Sequence, residues 1–407
     1  METGNIAWML MASALVLLMT PGLAFFYGGL VRGRNIVNTI MYSFMAMAVA
    51  SVVWVLWGYS LVASDGGGLN AFIGGFGHLG LKGIDGIANP DAMIDVIFQG
   101  MFAIITPALI TGAIVERFKF TTYLVFLVLW LTLVYAPIAH WVWYGGWIGG
   151  LSDGNGALDF AGGTVVHINA AVAAVAAAVM LGKRRNPGLE PSNVPYVVLG
   201  AGILWFGWFG FNAGSGYAAD GRAVNAFLVT NVAAGTAALT WGLISQFQYK
   251  KMSAAGVATG AVGGLVAITP AAGFVGVMGA LAIGLGAGIL CYLAVQMRPK
   301  IGLDDALDVF AVHGIGGIWG ALATGIFAVA AIGGTSGLIE GGNVDQMLTQ
   351  VIAVVATLLY SGIASLVILK VLDVIPGLGL RVSDTDEDQG LDISAHGERA
   401  FVTDGAD

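Results

Sequence analysis

Eleven apolar blocks, each of about 20 residues, run along the sequence and constrain its fold more than any other feature. A helix of that length crosses the hydrocarbon core of a bilayer, which is about 30 Å thick. Only 10% of the 407 residues are charged, too few to cover the surface of a water-soluble protein. The sequence therefore predicts an all-α polytopic membrane protein with eleven transmembrane helices. We place them at residues 5–30, 37–62, 92–114, 121–139, 163–182, 194–213, 224–248, 253–271, 275–297, 306–331 and 347–371.

The basic residues predict how these spans are oriented. When the loops are assigned alternately to the two sides, fourteen of the sixteen Lys and Arg residues fall on one side, and only Lys82 and Arg222 fall on the other. Lys and Arg concentrate in cytoplasmic loops, so we expect the N-terminus outside a cell membrane and the C-terminus in the cytoplasm. We divide the chain into a transmembrane domain of residues 1–375 and a cytoplasmic tail of residues 376–407.

Two pairs of aspartate and histidine share one spacing: Asp159 precedes His167 by eight residues, as Asp305 precedes His313. Each pair opens a predicted span, the fifth and the tenth. Repeats of five spans, about 1–185 and 190–332, would enter the membrane from opposite sides and leave a final helix at about 347–371. Helix rise would carry each histidine about 12 Å inward, towards the midplane where inverted-repeat transporters bind substrates. The alternative role for each histidine is packing.

The other histidines and the single cysteine suggest no further chemistry. His140, His78 and His396 fall at a Trp-rich boundary, in a loop and in the tail, so we predict surface positions for them. Cys291 lies in an apolar block, so we predict that its thiol is packed and inert. With a single cysteine, we expect no metal site or cofactor. The sequence shows no basic surface that would indicate binding of nucleic acid. Glycines at four-residue spacing in the eighth block predict close helix packing, at Gly256, Gly260 and Gly264.

Four stretches of the chain resemble a known family. They are Asp159-Phe-Ala-Gly-Gly-Thr-Val-Val-His167-Ile-Asn-Ala-Ala171, Trp208-Phe-Gly-Phe-Asn-Ala-Gly-Ser215, Asp308-Val-Phe-Ala-Val-His313-Gly and Gly390-Leu-Asp-Ile-Ser-Ala-His-Gly-Glu398. With them, nearly the whole chain resembles the ammonium transporter (Amt) branch of the Amt/Rh superfamily. The resemblance implies a homotrimer with one narrow pore in each subunit, carrying ammonium or ammonia and needing no cofactor.

The resemblance also implies roles for individual residues. It implies an outer recruitment site of Phe98, Trp143 and Ser215 supported by the buried carboxylate of Asp159, a gate of Phe102 and Phe211, and a proton relay of His167 and His313. Without the motifs, the aromatic residues would be core packing or an interfacial belt, and the serine a packing hydroxyl. Asp159 and Asp305 would be carboxylates favoured by helix N-termini.

Physical chemistry makes these roles coherent. Aromatic faces attract a cation, and a serine oxygen accepts the N–H that ammonium offers and a metal ion lacks. An ion is strongly disfavoured in an apolar passage, yet ammonium can release a proton to a neutral imidazole. Our hypothesis is that His167 and His313 pass the proton while ammonia crosses separately, so that net charge moves.

Several alternatives remain at this stage. One is an electroneutral NH3 channel like the Rh branch, and another is an ammonium sensor that signals through its tail. A third is an intramembrane protease, because Gly334-Thr335-Ser336-Gly337 fits a G-x-S-G pattern, although the final span supplies no histidine base. The resemblance further implies a cytosolic partner, a trimeric nitrogen-regulatory protein of the PII class.

The chain departs from the family pattern at both ends of the pore. Tyr144 and Trp147 are added to a lengthened segment after Trp143, so we expect a different outer mouth. Phe401 stands where a tyrosine is common, which weakens one expected regulatory contact of the tail.

Overall fold

The computed structural model describes residues 1–188 and 190–401, and in this part of the chain the secondary structure is helical, with a single isolated β-bridge. Ten of the described helices are long and apolar enough to cross a membrane, and an eleventh apolar helix is shorter. The predicted architecture of eleven helices is confirmed, with shifts of a few residues at the ends. The helices are α1 Thr3–Leu30, α2 Ile36–Ala63, α3 Pro90–Ile114, α4 Phe120–Trp143, α5 Gly163–Leu181, α6 Val194–Gly214, α7 Gly221–Tyr249, α8 Ala254–Ile268, α9 Val277–Ile301, α10 Phe310–Phe327 and α11 Val344–Val374.

Local sequence explains where several of these helices begin. Asn89 accepts a hydrogen bond from the N–H of Ala92, and Pro90 opens α3 at a position where no backbone N–H is needed. Asp220 and Ser253 cap α7 and α8 in the same way. The capping residues therefore end the outer and inner loops at defined points and fix the register of the helices that follow.

The glycine ladder of the eighth block packs as predicted. A Cβ atom added at Gly260 would lie 2.7 Å from the Cβ of Trp241, and one added at Gly264 would lie 2.5 Å from the carbonyl oxygen of Ala233. Both neighbours belong to α7. Only glycine permits this approach, so α7 and α8 pack with their backbones close together.

The two histidine-bearing helices open with π-helical turns that the sequence did not predict. α5 begins at Gly163, as predicted, and α10 begins at Phe310, four residues later than predicted. Each opening turn contains its histidine, Gly163–Ile168 and Phe310–Gly314. The prediction of continuous helix from the aspartate, and with it the 12 Å estimate, was wrong. The aspartate carboxylates accept hydrogen bonds from the first N–H groups of these turns, so they lie outside the helices.

One end of the bundle is tied together by ion pairs between loops. Arg184 bridges Glu116 at 3.1 Å and Asp304 at 2.9 Å, and Arg32 bridges Glu116 at 3.0 Å. The tail docks on the same end, where Glu387 accepts the N–H of Arg185 at 2.7 Å. These loops are the ones that the basic residues assigned to a single side. The tail contains two short helices, α12 Asp384–Gln389 and α13 Leu391–His396.

The opposite end carries the N-terminus and a long loop between α2 and α3. His140 lies there and is buried, with Nδ1 2.6 Å from the carbonyl oxygen of Val62 and Nε2 2.6 Å from that of Asn70. The prediction of a surface position for His140 was wrong, because the loop folds back over it. His78 is partly exposed, and His396 packs its ring against Phe120 with centroids 4.7 Å apart.

Candidate functional site

An outer cavity of about 250 Å³ lies at the end of the bundle that carries the N-terminus. Trp143, Ser215 and Phe102, for which the family resemblance implies a recruitment site and a gate, line this cavity. Phe98 is buried behind the lining, with its ring centroid 5.0 Å from that of Phe102 in an edge-on contact. The remaining lining residues are Asp95, Gln99, Tyr144, Phe160 and Tyr217.

The Ser215 hydroxyl is arranged as an acceptor. It follows the last residue of α6 and donates its proton back to the carbonyl oxygen of Phe211, at 2.8 Å. Its oxygen lone pairs are then free for a donor in the cavity. The Trp143 indole donates to the backbone carbonyl oxygen of Asp159 at 2.9 Å, which fixes the plane of the ring.

Beneath the cavity, the rings of Phe102 and Phe211 close the passage. Their centroids are 4.4 Å apart, with the ring planes tilted by 36° rather than parallel. The edge of Phe102 meets Trp143 at 86°, with centroids 5.9 Å apart. Both phenylalanines are buried, so a hydrated ion cannot pass in this arrangement.

The two histidines meet directly below these rings. The imidazole planes of His167 and His313 lie 23° from parallel, and the two Nδ1 atoms are 3.2 Å apart. His167 also stacks on Trp208, with centroids 5.4 Å apart and ring planes at 22°. A hydrogen bond between two Nδ1 atoms needs one donor and one acceptor, which two neutral rings in complementary tautomers provide. The Nε2 atom of His167 has no hydrogen-bond partner among the described residues.

Asp159 holds the first turn of α5 in place. Its carboxylate accepts hydrogen bonds from the N–H groups of Gly162 and Thr164, each at 3.0 Å, and from the Thr164 hydroxyl. Gly162 adopts a φ of 109°, which favours glycine and turns the chain into the helix. Asp159 is buried and is not among the residues that line the cavity.

An inner cavity of about 240 Å³ begins on the other side of the histidines. His313 lines its deep end, and Arg298 and Asp308 line it nearer the loops. Arg298 donates to Asp308 at 2.5 Å. Burial raises the pKa of the Asp308 carboxyl to about 7, although Arg298 acts to lower it. The two cavities are thus separated by the phenylalanine pair and the histidine pair.

Comparison with known proteins assigns this arrangement to a family. The sequence profile of the Ammonium Transporter Family matches residues 7–401. The chain belongs to the ammonium transporter family. It is 51% identical to the ammonium transporter of Aquifex aeolicus, over 98% of this chain and 94% of that relative.

Solved structures of the ammonium transporter family have the same fold. Mep2 of Saccharomyces cerevisiae matches with a TM-score of 0.88 and 36% identity, covering 95% of this chain and 88% of that one. A structure described as "Sensor Amt Protein" matches with a TM-score of 0.87 and 29% identity, covering 97% and 98% of the two chains.

Reasoning from the sequence missed several residues of the candidate site. Trp208, which stacks on His167, opens a quoted motif without having been given a role. Asp308 has a φ of 60° and lines the inner cavity. It is the third carboxylate, after Asp304 and Asp305, in the short segment before His313, and this clustering could have indicated a role for it. Asp95 and Tyr217 lie in the outer cavity, and their spacing in the sequence offers no signal because they come from separate helices and loops.

The structure also describes the departures from the family pattern. Tyr144 lines the outer cavity, whereas Trp147 packs on Trp141 with centroids 5.8 Å apart. Phe401 lies over Tyr196 at 6.1 Å. Ser336 of the G-x-S-G segment lies in a loop, and no hydrogen bond among the described residues joins it to a histidine.

Proposed function

We propose that this member of the ammonium transporter family carries ammonium across a cell membrane, with NH3 and a proton passing separately. The observation that carries the proposal is the buried pair His167 and His313, joined through their Nδ1 atoms between an outer and an inner cavity. A hydrogen-bonded imidazole pair is suited to moving a proton, and the chain is a transporter rather than an enzyme.

Recruitment takes place in the outer cavity. The Trp143 ring attracts a cation, with a contribution of about 0.5 to 2 kcal/mol depending on how far it is desolvated. Ser215 accepts one N–H of NH4+, because its own proton is already donated to Phe211. Phe98 packs behind Phe102 and supports this wall, and Asp159 holds the Trp143 ring through its carbonyl oxygen.

The gate of Phe102 and Phe211 then separates ammonium from other cations. An ion that passes two buried phenyl rings loses its hydration shell. The free energy of this dehydration is far larger than the favourable interaction of the ion with the rings. Ammonium alone can release a proton and continue as a neutral molecule. A potassium ion has no such step, so the gate discriminates by chemistry as well as by size.

Charge movement tests the relay. In proteoliposomes on a solid-supported membrane, we expect an ammonium pulse to evoke a transient current with the wild type and little or none with His167→Ala or His313→Ala. His78→Ala is the matched control, since the ring of this loop histidine contacts the carbonyl oxygen of Lys82 and lies beside Tyr59, outside the histidine pair. Unchanged currents in both pore variants would overturn the mechanism.

An electroneutral NH3 channel is the first alternative. It differs in a measurable way, because the wild type would then take up 15N-labelled ammonium while evoking no current. That result would retain the transporter and remove the proton pathway. Absence of both uptake and current would remove the transport proposal itself.

A sensor role is the second alternative, favoured by the likeness to the structure described as "Sensor Amt Protein". The tail supports either role because it docks on the loops at the inner end of the pore, where Asp388 and Glu387 contact Arg185. Capture of a cytosolic protein that depends on ammonium, without uptake, would favour the sensor.

The assembly and partners belong to the same proposal. We infer a homotrimer, a transmembrane domain of residues 1–375 and a tail from residue 376 that permits binding of a PII-type regulatory protein. Native mass spectrometry should give three copies of the 41.8 kDa chain. Pull-down of a PII-type protein with the full chain, compared with a chain ending at Pro376, tests the second contact.

The two five-helix halves are proposed to be inverted repeats. The π-helical turns at Gly163–Ile168 and Phe310–Gly314 support this, because each carries the histidine and follows an aspartate whose carboxylate accepts backbone N–H groups. Opposite orientation would bring the two histidines to the middle of the membrane from opposite faces.

A further inference from the structure

A carboxylate that the proposed mechanism does not use lies in the outer cavity. Asp95 lines this cavity together with Trp143 and Ser215. It is placed on α3 so that Gln99 and Phe102, four and seven residues later, share its face of the helix. The face that carries the gate therefore also carries a negative charge one to two turns further out.

Three tyrosine hydroxyls converge on Asp95. Tyr217 donates to its carboxylate at 2.7 Å, Tyr144 at 2.8 Å and Tyr59 at 3.0 Å. None of the ion pairs among the described residues involves Asp95, so hydrogen bonds stabilise its charge without neutralising it. Burial raises the pKa of Tyr217, and the Asp95 charge raises it further, so this hydroxyl stays protonated and donates.

The directions of these hydrogen bonds determine which groups in the cavity can still accept a hydrogen bond from a ligand. Tyr144 and Tyr217 each direct a single hydroxyl proton to Asp95, which leaves oxygen lone pairs as their remaining hydrogen-bonding capacity. Gln99 donates to the Tyr217 oxygen at 3.1 Å, which orients this hydroxyl and uses part of its capacity as an acceptor. Ser215 likewise presents its oxygen as an acceptor.

We propose that Asp95, through its charge and the hydroxyls of Tyr144 and Tyr217, forms a second, anionic part of the ammonium recruitment site. Ammonium has four N–H donors and no acceptor, so acceptors that line the same cavity as Trp143 and Ser215 complement it. The carboxylate attracts any small monovalent cation, so it raises affinity, while discrimination remains with the donors of the ion and with the gate. The inference rests on the proposed transport of ammonium and adds a residue to its binding step.

Uptake kinetics test this assignment. Initial rates of 15N-ammonium uptake are measured against concentration at pH 6, in cells that lack their own ammonium transporters, for Asp95→Asn and wild type. We expect the half-saturating concentration to rise about tenfold in Asp95→Asn, with the maximal rate within about twofold of wild type. Asp91→Asn is the matched control: it removes the same charge one turn outward, where Asp91 is exposed and pairs with the N-terminal ammonium.

Two further measurements separate binding from a merely structural role. External KCl at about 0.1 M should raise the half-saturating concentration of ammonium in the wild type more than in Asp95→Asn, because the carboxylate attracts both cations. Asp95→Glu should recover part of the affinity. Tyr217→Phe should give a smaller rise than Asp95→Asn, since it removes one donor and retains the charge.

The outcomes distinguish this inference from the proposed function. Uptake by the wild type with an unchanged half-saturating concentration in Asp95→Asn would overturn the role of Asp95 and leave transport intact. A fall in maximal rate at unchanged half-saturation would also overturn it, since that result describes damage to the fold. No uptake by the wild type would instead remove the proposed function on which the inference rests.

Discussion

Asp308 shows how a single side chain at the inner mouth can be balanced between two charge states. Burial disfavours its ionised form and raises the pKa to about 7, while the neighbouring Arg298 favours ionisation. The pKa of an unburied aspartate is 3.8. Between these two values the folded chain keeps a proton that the unfolded chain has lost. Stability from this group therefore falls as the pH rises from about 4 to about 7 and is constant above that.

Replacing Asp308 by asparagine should remove this dependence. We expect the apparent melting temperature of the detergent-solubilised wild type to fall by a few degrees more between pH 5 and pH 8 than that of Asp308→Asn. Differential scanning fluorimetry measures it. Asp65→Asn, at an exposed loop carboxylate, should follow the wild type at every pH. Parallel curves for wild type and Asp308→Asn would contradict the raised pKa.

Among the elements, the first turns of α5 and α10 do the most to position the site. Both are π-helical, and both begin beside a buried aspartate. The support is unequal, because Asp159 accepts N–H groups with both carboxylate oxygens, whereas the Oδ1 atom of Asp305 has no hydrogen-bond partner among the described residues. The turn that carries His167 therefore depends more strongly on its aspartate.

This inequality predicts different effects of the same substitution. Asp159→Asn puts an amide NH2 group in place of an oxygen that faces three donors, and each buried N–H left without an acceptor costs about 1 to 3 kcal/mol. We expect a clear loss of thermal stability and of folded protein for Asp159→Asn. Asp305→Asn should have a smaller effect, because its amide oxygen can still accept the N–H of Phe310. Equal losses of size-exclusion yield and of melting temperature in Asp159→Asn and Asp305→Asn would contradict this prediction.

The sequence predicted the helices well because each corresponds to an apolar block with a capping residue or a glycine at its ends. It failed where local structure depends on a partner distant in the chain. The turns that carry His167 and His313 are π-helical, and the carboxylates of Asp159 and Asp305 accept the first N–H groups of these turns. His140 is buried because a loop more than sixty residues earlier covers it.

For the candidate site, the motifs predicted a gate, a histidine pair and a recruitment site. The structure joins one residue of the predicted recruitment site to the histidine pair through ring contacts that run from Trp143 to Phe102, Phe211 and His167. The sequence could not predict that the hydroxyls of Tyr144 and Tyr217 contact Asp95, since the three residues come from separate parts of the chain. Their roles, like those of the motif residues, stay predictions for the experiments described.

For the whole molecule, the two ends of the bundle are chemically different. One end carries the network of Arg32, Glu116, Arg184 and Asp304 together with the docked tail. The other end carries the N-terminus, whose ammonium group pairs with Asp91 at 2.7 Å. Four loops that the distribution of Lys and Arg assigns to one side meet in this network at the first end. The prediction that this end faces the cytoplasm can therefore be tested with single positions.

Cysteine labelling tests that orientation directly. Cys291 is buried, so the native chain should react poorly with a membrane-impermeant maleimide. Lys82→Cys should be labelled in intact cells, whereas Lys250→Cys should be labelled only after the membrane is opened. The reverse pattern would place the N-terminus in the cytoplasm and would contradict the predicted topology.

The hydrogen bond between the two Nδ1 atoms limits the pair to one proton at a time. Suppose a proton arrives at Nε2 of the donor ring: the Nδ1 proton moves across, and the second ring releases the proton from its own Nε2. The bond has then reversed its polarity, and the first Nε2 is occupied. Another proton cannot follow in the same direction until both tautomers are restored. A continuous chain of water molecules needs no such restoration between protons. Under the proposed relay, the histidine pair would therefore pass protons singly and resist a continuous proton leak.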